Sequence, residues 1–323
     1  MTTTISRPAA PAAPPAARRR SGFTAMKRSK WRAIVLLLAP FLALYVLAYA
    51  IPLCYAVYES FFTEKRSGLG FGAPERVFAG FGNYVKALGM PEFTSGVWRV
   101  LLLGVVQVPL MLVIALLLAL AIDALANRFA AFMRLVSFLP YAVPGVIAAI
   151  LWAFLYLGGT SPFVRALQPL GVNLDFLSGG TILWSMANII TWTWTGYNMI
   201  IIYSALKAVP RELYEAASMD GAGPIRTAWS IKIPLVAPAL TLTGVFSIIG
   251  TVQLYNEPML LRPFSPAIDA NYTPNMTVQN VAFSLNDYGL AAAMAVLLAL
   301  GTAVLSFGFM RLSGAMTARK AAN

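Results

Sequence analysis

The chain contains no histidine and only one cysteine, Cys54, among 323 residues. Without imidazole, His-based acid–base catalysis and His-ligated metal centres are excluded. A single thiol can form no internal disulfide. Acids are scarce as well: 12 Asp and Glu stand against 24 Lys and Arg, and charged residues make up 11% of the chain. None of the seven lysines is followed by Ser or Thr, so the phosphate-cradling loop that ends in Lys-Ser or Lys-Thr is missing. The chain does not hydrolyse ATP by that route. Its long apolar runs carry almost no charge inside, with Asp123, Arg134 and Glu257 falling at their ends. Carriers driven by protons or sodium usually set a carboxylate within the membrane. Energy for any transport would therefore come from another protein.

What is abundant is apolar. At 59% hydrophobic, the chain lies outside the range of ordinary soluble domains. A bilayer core needs about 20 apolar residues per helical crossing. Windows of that kind occur at 33–58, 98–122, 133–157, 181–203, 235–256 and 289–312. The expectation is an all-α polytopic membrane protein with six crossings, the third and fifth interrupted by proline. Residues 1–32 are Pro/Ala-rich and then basic, which predicts a disordered cytoplasmic tail, and 313–323 a second cytoplasmic tail. The first apolar stretch is too long for the core of a cleaved signal peptide and reads as a retained crossing. With the N-terminus inside, 17 of the 24 basic residues fall in cytoplasmic segments. This bias puts both termini and the 204–234 loop in the cytoplasm. The net charge of +12 is mostly this orientation signal and not a nucleic-acid footprint.

The 204–234 loop is a polar island between two apolar runs. Pro210 suits a first helical turn and Glu212 the positive end of the helix dipole. Gly221 suits the left-handed residue that closes a helix, and Gly223-Pro224 stops its continuation. Leu213, Ala216, Ala217 and Asp220 share one face, and the alanines allow a partner to approach closely. A second helical turn from Pro224 leads through Trp229 and Ile231 to Pro234. On local chemistry alone, this could equally be an ordinary re-entry loop.

Glu215-Ala216-Ala217, then Gly221-Ala222, then Ile231-Lys232-Ile233-Pro234 closely resembles the signature loop of binding-protein-dependent ABC importer permeases. Val209-Pro-Arg-Glu-Leu-Tyr214 resembles the carbohydrate branch of that family, and Phe81-Gly-Asn-Tyr84, Phe138-Leu-Pro-Tyr-Ala-Val-Pro144 and Tyr288-Gly-Leu-Ala-Ala-Ala293 resemble landmarks of the family in the expected order. The similarity covers about residues 33–312 and departs in 258–287, where the usual Gly-Gly-Pro is missing. The resemblance implies a type I ABC importer permease fold at the cell membrane. It implies that Glu215, Ala216, Ala217, Asp220, Gly221, Ala222, Ile231 and Pro234 belong to an element docking on a cytoplasmic ATPase subunit. In that element Gly221 would supply the turn, the alanines close packing, and Glu215 and Asp220 charge or capping. Two ATPase subunits binding ATP and magnesium, a second permease (usually a different chain) and an extracytoplasmic solute-binding protein are the implied partners. The chain itself would hold no cofactor and catalyse no reaction.

The fourth apolar run carries a polar stripe, Trp184, Asn188, Thr191, Thr195 and Asn198, at helical spacing. Such a face should turn inward, either lining a path or bonding helices together. Tyr197 lies beside it, and Gln253, Tyr255 and Asn256 mark the end of the fifth run. Trp192 and Trp194 read as interface anchors. A largely uncharged lining suits a neutral polyhydroxylated solute, and a sugar is the expected cargo. An amino acid, peptide or anion is the alternative. In the sixth run Ala291, Ala295, Ala299 and Ala303 form a small-residue ridge suited to close packing within the chain or with a second permease. A polytopic membrane enzyme is a further alternative, because Asp220-Gly221 superficially resembles phosphatidyl-group transferases. Only Glu212, Glu215 and Asp220 would be available there as metal ligands, and the downstream aspartates are missing.

Overall fold

A computed structural model describes residues 22–66, 74–125, 127–171 and 174–322. The chain divides into two units, residues 1–55 and 56–323. The first holds helix α1 (Gly22–Tyr45), a π-helical turn (Val46–Ala50) and the start of helix α2 (Ile51–Glu59). The helix begins at Gly22, so the disorder expected for 1–32 does not hold for its last residues. The segment Ala25-Met-Lys-Arg-Ser-Lys30 is rich in good helix formers and simply extends the crossing helix. Residues 1–21 lie outside the described residues.

The second unit opens with an antiparallel ribbon of β1 (Phe62–Arg66) and β2 (Pro74–Phe78), in which Phe62 faces Phe78 and Glu64 faces Arg76. This short ribbon is an addition to an otherwise helical chain. Strand-forming aromatic and β-branched residues at 62–63 and 77–78 pair over too short a length to register as a pattern. Helix α3 (Gly82–Leu88) follows. Its Asn83 donates from Nδ2 to the carbonyls of Ser60 and Phe62 at 2.9 and 2.8 Å, locking the ribbon to the helix.

Helix α4 (Pro91–Ala124) is 34 residues long and would span about 51 Å, well beyond the hydrocarbon thickness. Helices α5 (Asn127–Ala142) and α6 (Gly145–Tyr156) meet at a 91° bend. Pro144 explains it, since proline offers no N–H and disfavours helical geometry in the residue before it. The proline interruption expected within the third crossing, 133–157, is therefore a sharp bend that splits it into two helices. A short α7 (Pro162–Leu167) leads to α8 (Ile182–Lys207). Then come α9 (Arg211–Met219), α10 (Pro224–Thr227), a π-helical turn (Ala228–Lys232) and α11 (Ile233–Val252). The last three run on as one helix, Pro224–Val252, of 29 residues. Both this π-turn and the one at Val46–Ala50 lie just ahead of a proline, Pro234 and Pro52. A missing donor widens the helical ladder there. The fifth crossing ends at Val252, not at the expected Asn256, which starts α12 (Asn256–Leu261). Helices α13 (Pro274–Gln279) and α14 (Tyr288–Ala322) complete the chain.

Four helical stretches, Ile34–Glu59, Pro91–Ala124, Pro224–Val252 and Tyr288–Ala315, are long and apolar enough to cross a membrane, and the bent α5–α6 pair would make a fifth. The expected count of six rests on α8, whose 26 residues suffice in length but whose polar stripe lowers its hydropathy. One core packs Ala115, Ala119 and Ile122 of α4 on Met199, Ile202 and Leu206 of α8 and Val236 of α11. A second joins Ile182, Met186 and Ile189 of α8 to Leu261, Ile268, Tyr272 and Met276 of the 253–287 segment. Gly196 lets α8 approach α5: a Cβ there would fall 1.9 Å from the Ser137 carbonyl oxygen. Of the alanine ridge on α14, Ala291 is buried, while Ala295, Ala299 and Ala303 face away from the chain's own core.

Candidate coupling loop and membrane cavity

Helix α9 starts after Pro210, which caps it from an extended conformation and is not in its first turn. It ends in a double hydrogen-bonded cap. The Ala222 N–H donates to the Ala217 carbonyl at 2.9 Å, and the Gly221 N–H donates to Ser218 at 3.1 Å. This arrangement requires a left-handed residue at 221, and Gly221 has φ +76°. The spacing of Ala217, Gly221 and Ala222 thus has a local cause: the backbone between them closes the helix. Asp220 sits at the cap position with its side chain exposed. Backbone groups do the capping expected of its carboxylate.

Glu215, Ala216, Asp220 and Gly221 are exposed, Ala217 is buried, and Ala222, Ile231 and Pro234 are half-buried. The helix leans on Ala217 and presents the rest. Two apolar side chains that sequence reasoning passed over, Met219 and Ile225, stand 88% and 86% exposed on the same loop. A loop already facing water gains nothing by exposing them, which suits a surface that another protein covers. The Tyr214 hydroxyl lies buried beneath the helix without a hydrogen-bond partner among the described residues, and burial pushes its pKa up. Lys232 places its Nζ 5.0 Å from the centre of that ring.

A cavity of about 260 Å³ lies among α4, α8, α11 and the start of α12. Tyr197, Asn198, Gln253, Tyr255 and Asn256, all residues singled out in the sequence, line it. Trp194, expected to be an interface anchor, lines it too and meets Tyr197 edge-on at 5.8 Å. The remaining stripe residues divide. Thr195 is buried and its hydroxyl donates to the Thr191 carbonyl at 2.5 Å, so it serves its own helix. Asn188 points into a separate pocket with five aromatic side chains in its lining, where its Nδ2 donates to the Tyr156 hydroxyl at 2.8 Å. Thr191 reaches the first cavity only indirectly, accepting from Gln107 Nε2 at 3.4 Å.

Gln107 is the residue that the sequence reading missed. It is 1% exposed, lies at the middle of α4, and its Oε1 also accepts from the Thr251 hydroxyl at 3.5 Å. One amide within an otherwise apolar crossing was the available signal. Glu257 lines the rim and is half-buried, which raises its carboxyl above the ordinary range. No Lys or Arg is among the lining residues.

A family profile described as "Binding-protein-dependent transport system inner membrane component" matches residues 111–318. The diacetylchitobiose uptake system permease protein of Streptomyces coelicolor is 30% identical over 293 residues, covering 84% of this chain and 80% of that one. The lactose transport system permease protein of Rhizobium radiobacter is 31% identical over 238 residues, covering 71% and 79%. The crystal structure of a bacterial ABC transporter that imports the acidic polysaccharide alginate contains a chain that superposes with a TM-score of 0.74 at 19% identity, covering 91% of this chain and 99% of that one. That match carries the type I importer permease fold. A continuous helix from loop to cavity, a capped α9 on the loop, and the family match over most of the chain agree: this multi-pass membrane protein belongs to the inner membrane components of binding-protein-dependent transport systems, as a non-catalytic permease subunit.

Proposed function

We propose that the chain forms one half of a sugar-translocation path and is driven through α9 by a cytoplasmic ATPase. The observation that carries the cargo class is the cavity lining. Amides from Gln107, Asn198, Gln253 and Asn256 can both donate and accept hydrogen bonds, as hydroxyls require. The rings of Trp194, Tyr197 and Tyr255 offer flat faces to the C–H side of a sugar. A lining without Lys or Arg leaves an anionic solute with no countercharge in a low-dielectric setting, so the neutral sugar is favoured. The relatives named for diacetylchitobiose and lactose point the same way.

In this reading α8 crosses the membrane as the sixth span, and both termini and the 204–234 loop lie in the cytoplasm. Met219, Ile225, Ala216 and the turn at Gly221 meet a cleft on an ATPase subunit, one of two, which hold ATP and magnesium. A solute-binding protein delivers cargo at the opposite face, and a second, different permease completes the path. The unbroken helix from Pro224 to Val252 joins the docking segment to cavity-lining Ser247 and Thr251. Movement at one end is thus delivered to the other along a single run of helix that includes the π-helical turn. The test is uptake of labelled di- and oligosaccharides by cells lacking this chain, with and without its restoration. Restoration of sugar uptake is expected. Uptake of an amino acid or anion alone would overturn the cargo, and labelling of a thiol at position 219 from outside the cell would overturn the coupling reading.

A further inference from the structure

Asp123 breaks a local rule. It lies in the last turn of α4, where the helix dipole disfavours a negative charge, and its side chain is only 7% exposed. Two lysines compensate. Lys207 Nζ sits 2.7 Å from Oδ1, and Lys232 Nζ sits 2.5 Å from Oδ2, the latter lysine 16% exposed. These lysines are not arbitrary neighbours. Lys207 is the last residue of α8 and Lys232 the last before α11, so they bracket the excursion that carries α9. Lys232 also covers the Tyr214 ring on α9. Lys207 places its Nζ 5.3 Å from the Tyr203 ring, whose hydroxyl accepts from Arg134 of α5 at 2.5 Å. The three helices thus joined, α4, α8 and α11, are the ones that wall the cavity with Gln107, Asn198 and Thr251.

We infer that Asp123 is a positioning residue for transport: its carboxylate clasps the loop-side ends of the three cavity-walling helices, so that displacement of α9 moves them together. The inference rests on the coupling-loop reading. A salt bridge suits the task because it holds two helix ends by flexible side chains without fusing their backbones. With the clasp open, α9 would still dock but would shift the loop without the cavity walls, and ATP would be spent with little solute moved.

The test uses the complete complex in proteoliposomes, with its binding protein, and measures solute transported per ATP hydrolysed. For D123N the expected ratio falls about tenfold, within the range of site-to-site coupling, whereas D123E, which keeps both oxygens, retains most of it. K207Q removes one arm from a half-exposed lysine and is expected to give a smaller fall. That variant keeps the test decisive if D123N does not assemble. A purely structural Asp123 would lower yield or melting temperature and leave the ratio of the surviving complexes unchanged in both D123N and K207Q; that result overturns the proposal. Docking is followed separately by cross-linking M219C, in a C54S background, to the ATPase. Retained cross-linking in D123N is expected. No cross-link in the chain with an intact clasp would overturn the coupling-loop reading instead.

Discussion

The two ends of the helix bundle share close-packed apolar cores and differ in what is added to them. At the end carrying the 204–234 loop, ionic side chains join helix termini: Asp123 with Lys207 and Lys232, and Arg134 with Tyr203. At the opposite end the 253–287 segment folds back as short helices fixed by buried side-chain-to-backbone bonds. Ser265 donates to the Leu177 carbonyl at 2.5 Å and Thr273 to Leu254 at 2.9 Å, beneath a core of Leu261, Ile268, Tyr272 and Met276. Close-packed apolar cores resist small displacements. Ion pairs on long side chains tolerate changes of ångström size. The loop end thus adds adjustable ion pairs to its apolar core of Ile122, Leu206 and Val236.

Five substitutions break or sharpen this contrast. The largest effect is expected from Gly196→Ala, which attacks packing shared by both ends. With 1.9 Å between the new Cβ and the Ser137 oxygen, α5 and α8 must separate. Overpacking of this kind should cost about 3 kcal/mol, read as lost yield and a lower melting temperature in detergent. Next comes Gly221→Val, confined to the loop end. A β-branched residue at φ +76° adds roughly 2 kcal/mol of strain. Membrane insertion should survive while uptake drops by about thirtyfold, since each 1.4 kcal/mol is a factor of ten. Normal uptake by this variant would sink the coupling role of α9.

Gln107→Leu probes the cavity between the two ends. Thr251 keeps its bond to the Ser247 carbonyl at 2.9 Å, so stability should change by less than about 1 kcal/mol. Sugar uptake should nevertheless slow several-fold, and an unchanged apparent affinity would remove Gln107 from the path. Glu257→Gln tests the rim through pH. A carboxyl raised above its ordinary 4.5 favours folding while protonated, and that contribution is lost as pH rises from about 4.5 through the elevated value. Melting temperature of the native chain should therefore fall over that window relative to the variant, whose curve should be flatter. The smallest effect belongs to Glu59→Gln, which removes the exposed pair with Arg76 at 2.6 Å. A change within about 0.5 kcal/mol is expected.

Sequence alone disclosed features whose cause is local. The Gly221 turn, the short helix before it and the apolar crossings follow from residues within a few positions of one another. The polar stripe on α8 was legible as inward-facing, yet its division between two pockets was not, because that depends on where α6 and α11 pack. Asp123 looked like an ordinary helix end, since its partners lie 84 and 109 residues away. The 91° break at Pro144 was readable as a bend but not in magnitude. The ribbon of β1 and β2 escaped because two five-residue strands carry too few alternations to register as a pattern.

One consequence concerns the 29-residue rod from Pro224 to Val252. Lys232, anchored on α4, divides it unequally, with eight residues toward Pro224 and nineteen toward Thr251. At 1.5 Å per residue these arms measure about 12 and 28 Å. On the coupling reading proposed above, a tilt about that anchor that moved the short arm by ~1 Å would carry the far end through ~2.4 Å, an unequal seesaw in which small strokes are magnified.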